Sequence, residues 1–87
     1  MNVCVLGLWH LGTVTSACLS SAGHKVVGLD FDKNLINGLN NGEAPIFEPG
    51  LNNLLKSGIN KDNLLFTFKI DEALKACDIL WVAYDTP

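Results

Sequence analysis

Four short runs of this chain are apolar almost from end to end: Asn2 to Leu6 (NVCVL), Lys25 to Leu29 (KVVGL), Leu64 to Phe68 (LLFTF) and Ile79 to Ala83 (ILWVA). A strand with one wet face alternates apolar and polar residues, so runs without alternation call for cover on both faces. Segments with helical spacing separate them. Leu11, Val14, Cys18 and Ala22 recur at three- and four-residue steps, with Gly23 placed as a C-cap. Asp32 is placed to cap a short helix carrying Leu35, Ile36 and Leu39, which Asn41-Gly42 ends. Pro49 stands at a first helical position before Leu51, Leu54 and Leu55, with Gly58 as the stop. Asp71 starts a last short helix holding Ala73, Leu74 and Cys77. Strands alternating with helices, each strand apolar throughout, predict an α/β fold: a parallel sheet with helices on both faces.

The length bounds how much of such a sheet is present. At 87 residues the chain falls short of a typical domain of roughly 100 to 200, and the fourth apolar run is followed by no closing helix. The expectation is a single unit, residues 1–87, that is a truncated half of a larger domain. Apolar residues make up 48% and charged ones 17%, too apolar for disorder. A core under so few charges expects more protein to pack against, and an open sheet edge makes self-association an expectation.

Several classes are excluded. Net charge is −3 with no run of Lys or Arg, so the basic footprint of a nucleic-acid binder is missing. The stretch from Met1 to His24 holds no Asp, Glu, Lys or Arg, but Gly7, Gly12 and several hydroxyl residues dilute it and no basic segment precedes it. Export and membrane insertion are therefore not expected. Cys4, Cys18 and Cys77 are odd in number and set among apolar residues, which fits reduced, buried thiols of a cytoplasmic protein. They show no metal-binding spacing.

The chemistry gathers in the first turn. Gly7-Leu8-Trp9-His10-Leu11-Gly12 lies between the first strand and the first helix, where a G-x-G-x-x-G loop sits in a dinucleotide-binding unit. The first glycine permits the sharp turn and the third lets helix and strand approach. Trp9 replaces the second, so the indole must point away from any phosphates the loop receives. Asp30 comes 23 residues after Gly7, at the end of the second strand, where a carboxylate accepts hydrogen bonds from the ribose hydroxyls of an adenosine and repels a 2′-phosphate. NAD is favoured over NADP on that ground. Asp32 reads as a helix cap, and His10 has no partner in sequence that would make it a general base.

GLWHLGTVTSACLSSAGHKVVGLDFD, NNGEAPIFEPGLNNLL and the closing ILWVAYDTP resemble, in order and spacing, the amino-terminal part of the UDP-glucose/GDP-mannose dehydrogenases, over essentially the whole chain. The fingerprint at Gly7 to Gly12 is generic to Rossmann folds. G-E-x-P-I-x-E-P-G-L at Gly42 to Leu51, and the Thr86-Pro87 that closes the chain, are more particular. The resemblance implies the NAD-binding Rossmann part of an enzyme that oxidises the C6 hydroxyl of a nucleotide sugar to a carboxylate, with two NAD in successive hydride transfers. It further implies that a catalytic Cys, Lys and Asn, acting through a thiohemiacetal and a thioester, lie beyond Pro87. No catalytic residue is therefore expected within the chain. Carried over residue by residue, Gly7, Leu11 and Gly12 match the phosphate loop, Asp30 the ribose acceptor, Thr86 a threonine near the nicotinamide, and Glu48 the signature loop. The implied enzyme is cytoplasmic, homo-oligomeric and active in polysaccharide biosynthesis.

The chain also departs from the family pattern. Leu35 stands where many members carry Lys, and Tyr84-Asp85 stand where Val-Gly is common. Two other readings remain open at this level. One is a non-catalytic nucleotide-sensing module in which Trp9 partly fills the phosphate site. The other is a methyltransferase fragment binding S-adenosylmethionine, which leaves Glu48-Pro49-Gly50 and Thr86-Pro87 unexplained.

Overall fold

A computed structural model describes residues 1–84. The elements run β1 (Asn2–Leu6), α1 (His10–Ser21), β2 (Lys25–Leu29), α2 (Lys33–Asn40), α3 (Leu51–Asn60), β3 (Leu64–Thr67), α4 (Ile70–Leu74) and β4 (Ile79–Val82). The strands form one sheet in the order β3-β2-β1-β4, every neighbouring pair parallel. The chain steps outward from β1 to β2 to β3, then returns across the sheet to place β4 on the other side of β1. The predicted α/β architecture is therefore observed.

Alternation along each strand divides the core in two. Val3, Val5, Val26, Leu64 and Phe66 pack with Ala17 of α1, Ile36 and Leu39 of α2, and Leu51 and Leu55 of α3. Cys4 and Leu29 turn to the opposite face and meet Ala73 of α4, with Leu6, Val27 and Cys77 around them. Helices thus lie on both faces, three on one and one on the other. Among the described residues, no helix is long and apolar enough to cross a membrane.

α1 departs most from its sequence pattern. The apolar positions Leu11, Val14, Cys18 and Ala22 should face inward. The buried residues are Gly12, Thr13, Ser16, Ala17 and Ser20, while Leu11 is 50% exposed and Cys18 is exposed. Gly12 dictates this rotation. A Cβ on Gly12 would collide with the carbonyl oxygen of Gly7, so the helix sits directly on the strand end, and the residues sharing Gly12's face must also be small. The buried Ser20 Oγ has no hydrogen-bond partner among the described residues, but the other two hydroxyls bond to local backbone: Thr13 Oγ1 donates to the Leu8 carbonyl at 2.6 Å and Ser16 Oγ to the Gly12 carbonyl at 2.8 Å. These bonds remove most of the cost of burying those two groups.

Other expectations need correction. Pro49 precedes α3 instead of opening it, because Gly50 at φ +82° is the N-cap. Gly58 does not stop α3 but lies buried within it, where a Cβ would come within 2.6 Å of Ser20 Oγ on α1. Cys77 lies beyond the end of α4 and is half-buried, so of the three thiols only Cys4 is fully buried. β4 is an edge strand of the described sheet and its four residues are exposed within it, Val82 by 60%, in keeping with the open apolar edge expected from sequence. An apolar run reports what a strand is suited to meet, and position in the sheet decides what meets it. On the other edge, the Asn40 amide donates to the Phe66 carbonyl at 3.0 Å and accepts from its N–H at 3.2 Å. The side chain of α2 thereby occupies groups of β3 that a further strand would take.

Candidate functional site

The order β3-β2-β1-β4 reverses direction at β1. In open α/β sheets a crevice opens at such a switch point, outside the carboxyl ends of the strands. Here Gly7 follows β1, Asp30 follows β2, and Ala83 and Tyr84 follow β4. These residues line a cleft of about 250 Å³ together with Trp9, Asp32 and Leu35. A larger hollow of about 490 Å³ lies on the α4 side, lined by Val27, Ala73 and Cys77 among others. It includes none of the glycines or carboxylates singled out from sequence.

Gly7 has φ +93° and donates its N–H to the Leu29 carbonyl at 2.9 Å. That left-handed turn favours glycine, and a Cβ there would also stand 2.9 Å from the Tyr84 ring. α1 then begins at His10. Trp9 is its N-cap and supplies no side-chain hydrogen bond, and the first turn carries no acidic residue. The leading N–H groups of a helix are unpaired within it and, with the dipole, form an anion-binding end. Trp9 forms part of the cleft wall and is itself 52% exposed, so the indole stands at the rim.

Asp30 links the loop to the cleft. Its Oδ2 accepts from the Leu8 N–H at 2.9 Å and its Oδ1 from the Asp32 N–H at 3.1 Å. An ionised carboxylate offers about four acceptor positions, so two remain for ligand hydroxyls after the phosphate loop and the start of α2 have been tied together. Asp32 caps α2 as predicted, accepting from Asn34 N at 3.0 Å and Leu35 N at 3.2 Å. Among the described residues, no cation lines the cleft. The Lys33 ammonium lies 5.0 Å from the centre of the Phe68 ring and does not take the place that Leu35 leaves without charge.

The remaining predicted residues are distributed less compactly. Gly12 sits directly behind Gly7. Leu11 lies in the first turn of α1 with its side chain half exposed, so any contact it makes with an anion is through its N–H. Thr86 falls outside the described residues. Glu48 is not a cleft residue; its Oε2 lies 3.5 Å from Nε2 of His10. That pairing has no sequence signal, since 38 residues separate the partners. Asp32 and Tyr84 as cleft walls were also missed, because a cap and a strand end reveal their side-chain direction only once the strands are placed. Burial pushes the Cys4 thiol up from 9.0 to about 11, with Cys77 beside it adding to the shift. Cys4 therefore stays protonated at neutral pH and is a poor nucleophile.

The sequence profile of the UDP-glucose/GDP-mannose dehydrogenase family, NAD binding domain, matches residues 1–87. GDP-mannose 6-dehydrogenase of Pseudomonas syringae pv. syringae is 41% identical over 87 residues, which is 100% of this chain and 20% of the relative. UDP-glucose 6-dehydrogenase of Bacillus subtilis is 39% identical over 99% of this chain and 19% of the relative. A crystal structure of a ternary complex of GDP-mannose dehydrogenase from Pseudomonas aeruginosa superposes with a TM-score of 0.96 at 36% identity, covering 100% of this chain and 20% of that one. UDP-glucose dehydrogenase from Pyrobaculum islandicum gives a TM-score of 0.91 at 34% identity over 99% of this chain and 20% of that one. The chain spans about a fifth of the length of these relatives.

Proposed function

Because the chain belongs to the UDP-glucose/GDP-mannose dehydrogenase family as its NAD-binding domain, we propose that residues 1–87 form the amino-terminal, NAD-holding part of a nucleotide-sugar 6-dehydrogenase. The carrying observation is Asp30, which grips the phosphate loop through Leu8 while keeping acceptor positions free in the switch-point cleft. In this reading the ribose hydroxyls of the adenosine half donate to Asp30. The main-chain amides from Leu11 to Gly12, reached across the turn at Gly7, receive the diphosphate. Leu35 and Tyr84 give the cleft apolar walls. When bound, the nicotinamide supplies a hydride acceptor. In this reading Thr86 contacts the nicotinamide half, and Glu48 belongs to the signature loop outside the cleft.

The reaction proposed for the whole enzyme is two-step oxidation of a sugar C6 hydroxyl to the carboxylate, one NAD per step, with the nucleotide sugar held mainly by residues outside this chain. A homo-oligomeric, cytoplasmic enzyme is part of the same proposal. NADP is disfavoured because Asp30 and Asp32 both border the cleft and, among the described residues, no cation does. Differential scanning fluorimetry with NAD, NADP and S-adenosylmethionine tests the reading, since stabilisation by a ligand follows RT ln(1 + [L]/Kd). NAD should raise the melting temperature more than NADP. Asp30→Ala should abolish most of that rise, with NAD affinity falling about tenfold from the loss of charge-assisted bonds. A response to S-adenosylmethionine without one to NAD would refute it.

A further inference from the structure

The contact between His10 and Glu48 joins the phosphate loop to the signature loop, and its position raises an electrostatic problem. The Glu48 carboxylate reaches to 3.5 Å from a side chain on the first residue of α1. It therefore stands one imidazole away from the helix start that the proposed reading assigns to the diphosphate. A bare carboxylate there would repel that anion. The loop is also tied from its other side, where Asn52 Oδ1 accepts from the Ala44 N–H at 2.9 Å, so Glu48 would stay nearby even without its partner.

We propose that His10 is a positioning residue for the diphosphate: by engaging Glu48, its imidazole holds that carboxylate aside from the leading amides of α1. The inference rests on the NAD reading above. The side chains of His10 and Glu48 are 41% and 47% exposed. An ion pair so open to water contributes little to stability, so its effect falls on the charge met by an incoming ligand. Two like charges at this range interact across water and are weakened by salt. The imidazole thus acts through where it holds the carboxylate, and the family resemblance supplied no role for it.

Isothermal titration of the protein with NAD, ADP-ribose and adenosine tests this on His10→Ala, Glu48→Gln and the double variant. His10→Ala should weaken NAD and ADP-ribose about fivefold at low salt, an effect that shrinks at high salt, while adenosine, which has no phosphate, binds as before. Glu48→Gln should not weaken either diphosphate. Adding it to His10→Ala should restore affinity to near the starting value, because the carboxylate that His10 restrains is gone. Should His10→Ala fail to fold, His10→Gln carries the same test with a smaller loss, again reversed by Glu48→Gln. Unchanged NAD affinity in the His10 variants, a double variant as weak as His10→Ala, or a parallel loss for adenosine would each overturn the proposal. Asp30→Ala separates the two failures. If it weakens NAD and the His10 variants do not, only the role of His10 is lost; if neither weakens NAD, the cofactor reading itself fails.

Discussion

The helices α1 and α2 begin a few ångströms from the same cleft and are finished in opposite ways. α2 opens on Asp32, whose carboxylate takes two of its leading N–H groups. α1 opens on Trp9 with no capping side chain and no acid in its first turn. A helix whose end serves only the fold does well to cap itself, since an N-cap side chain contributes about 1 kcal/mol. One whose end receives an external anion must leave those donors free. Asp30 sits between the two and could have capped either, yet it spends one oxygen on Leu8 and the other on Asp32. On the proposed reading, the difference separates a helix end that serves the fold from one left open for the diphosphate.

Four perturbations break or sharpen that contrast. The largest is Gly12→Ala. Its methyl group would meet the backbone carbonyl of Gly7, which has no freedom to move, so α1 must lift from β1. A loss of about 3 kcal/mol or more in chemical denaturation is expected, together with loss of NAD binding. A change in the first turn of the capped helix, Asn34→Ala, should have little effect on either. A smaller effect calibrates general stability away from both helix ends. The Cys4 thiol, held near 11 in the fold against 9.0 ordinarily, keeps its proton where the unfolded chain loses it. Its contribution is fully present below pH 9 and is lost as pH rises toward 11, on the order of 2 kcal/mol. Melting temperatures measured across that range should fall in the native chain and fall less in Cys4→Val.

Asp32→Ala removes the cap of α2 and should cost about 1 kcal/mol, with the NAD-induced rise in melting temperature retained. Loss of that rise would mean that Asp32 belongs to the ligand and not to the helix. The smallest change in stability is the most direct test. Trp9→Asp gives α1 the cap that α2 has, and should stabilise the ligand-free chain by roughly 0.5 to 1 kcal/mol while weakening NAD. Stabilisation with unaltered NAD affinity would show that the open helix end is not where the diphosphate binds.

The contrast also shows what was legible beforehand. Asp32 as a cap, Asp30 at a strand end and Gly7 in a sharp turn are local facts, fixed by residue type and short-range spacing, and each was readable from the sequence. α1's inward face was not. Its apolar spacing pointed to Leu11, Val14 and Cys18, but contact between Gly12 and the Gly7 carbonyl rotated the helix onto small and hydroxyl residues. Periodicity measures which side of a helix is most apolar, whereas a backbone collision carries a steeper penalty than a half-exposed leucine. At β4 the reading held: its apolar run is a strand.

By itself, the order of residues settled the alternation of strands and helices, the turn at Gly7, the acid after β2 and the family to which the whole pattern belongs. These depend on interactions within a few positions along the backbone, where spacing and chemistry act together. Tertiary structure alone decided the rotation of α1 and the meeting of His10 with Glu48. Each is settled by groups far apart in the chain that share space only after the sheet has formed, and the packing of those groups overrides local preference.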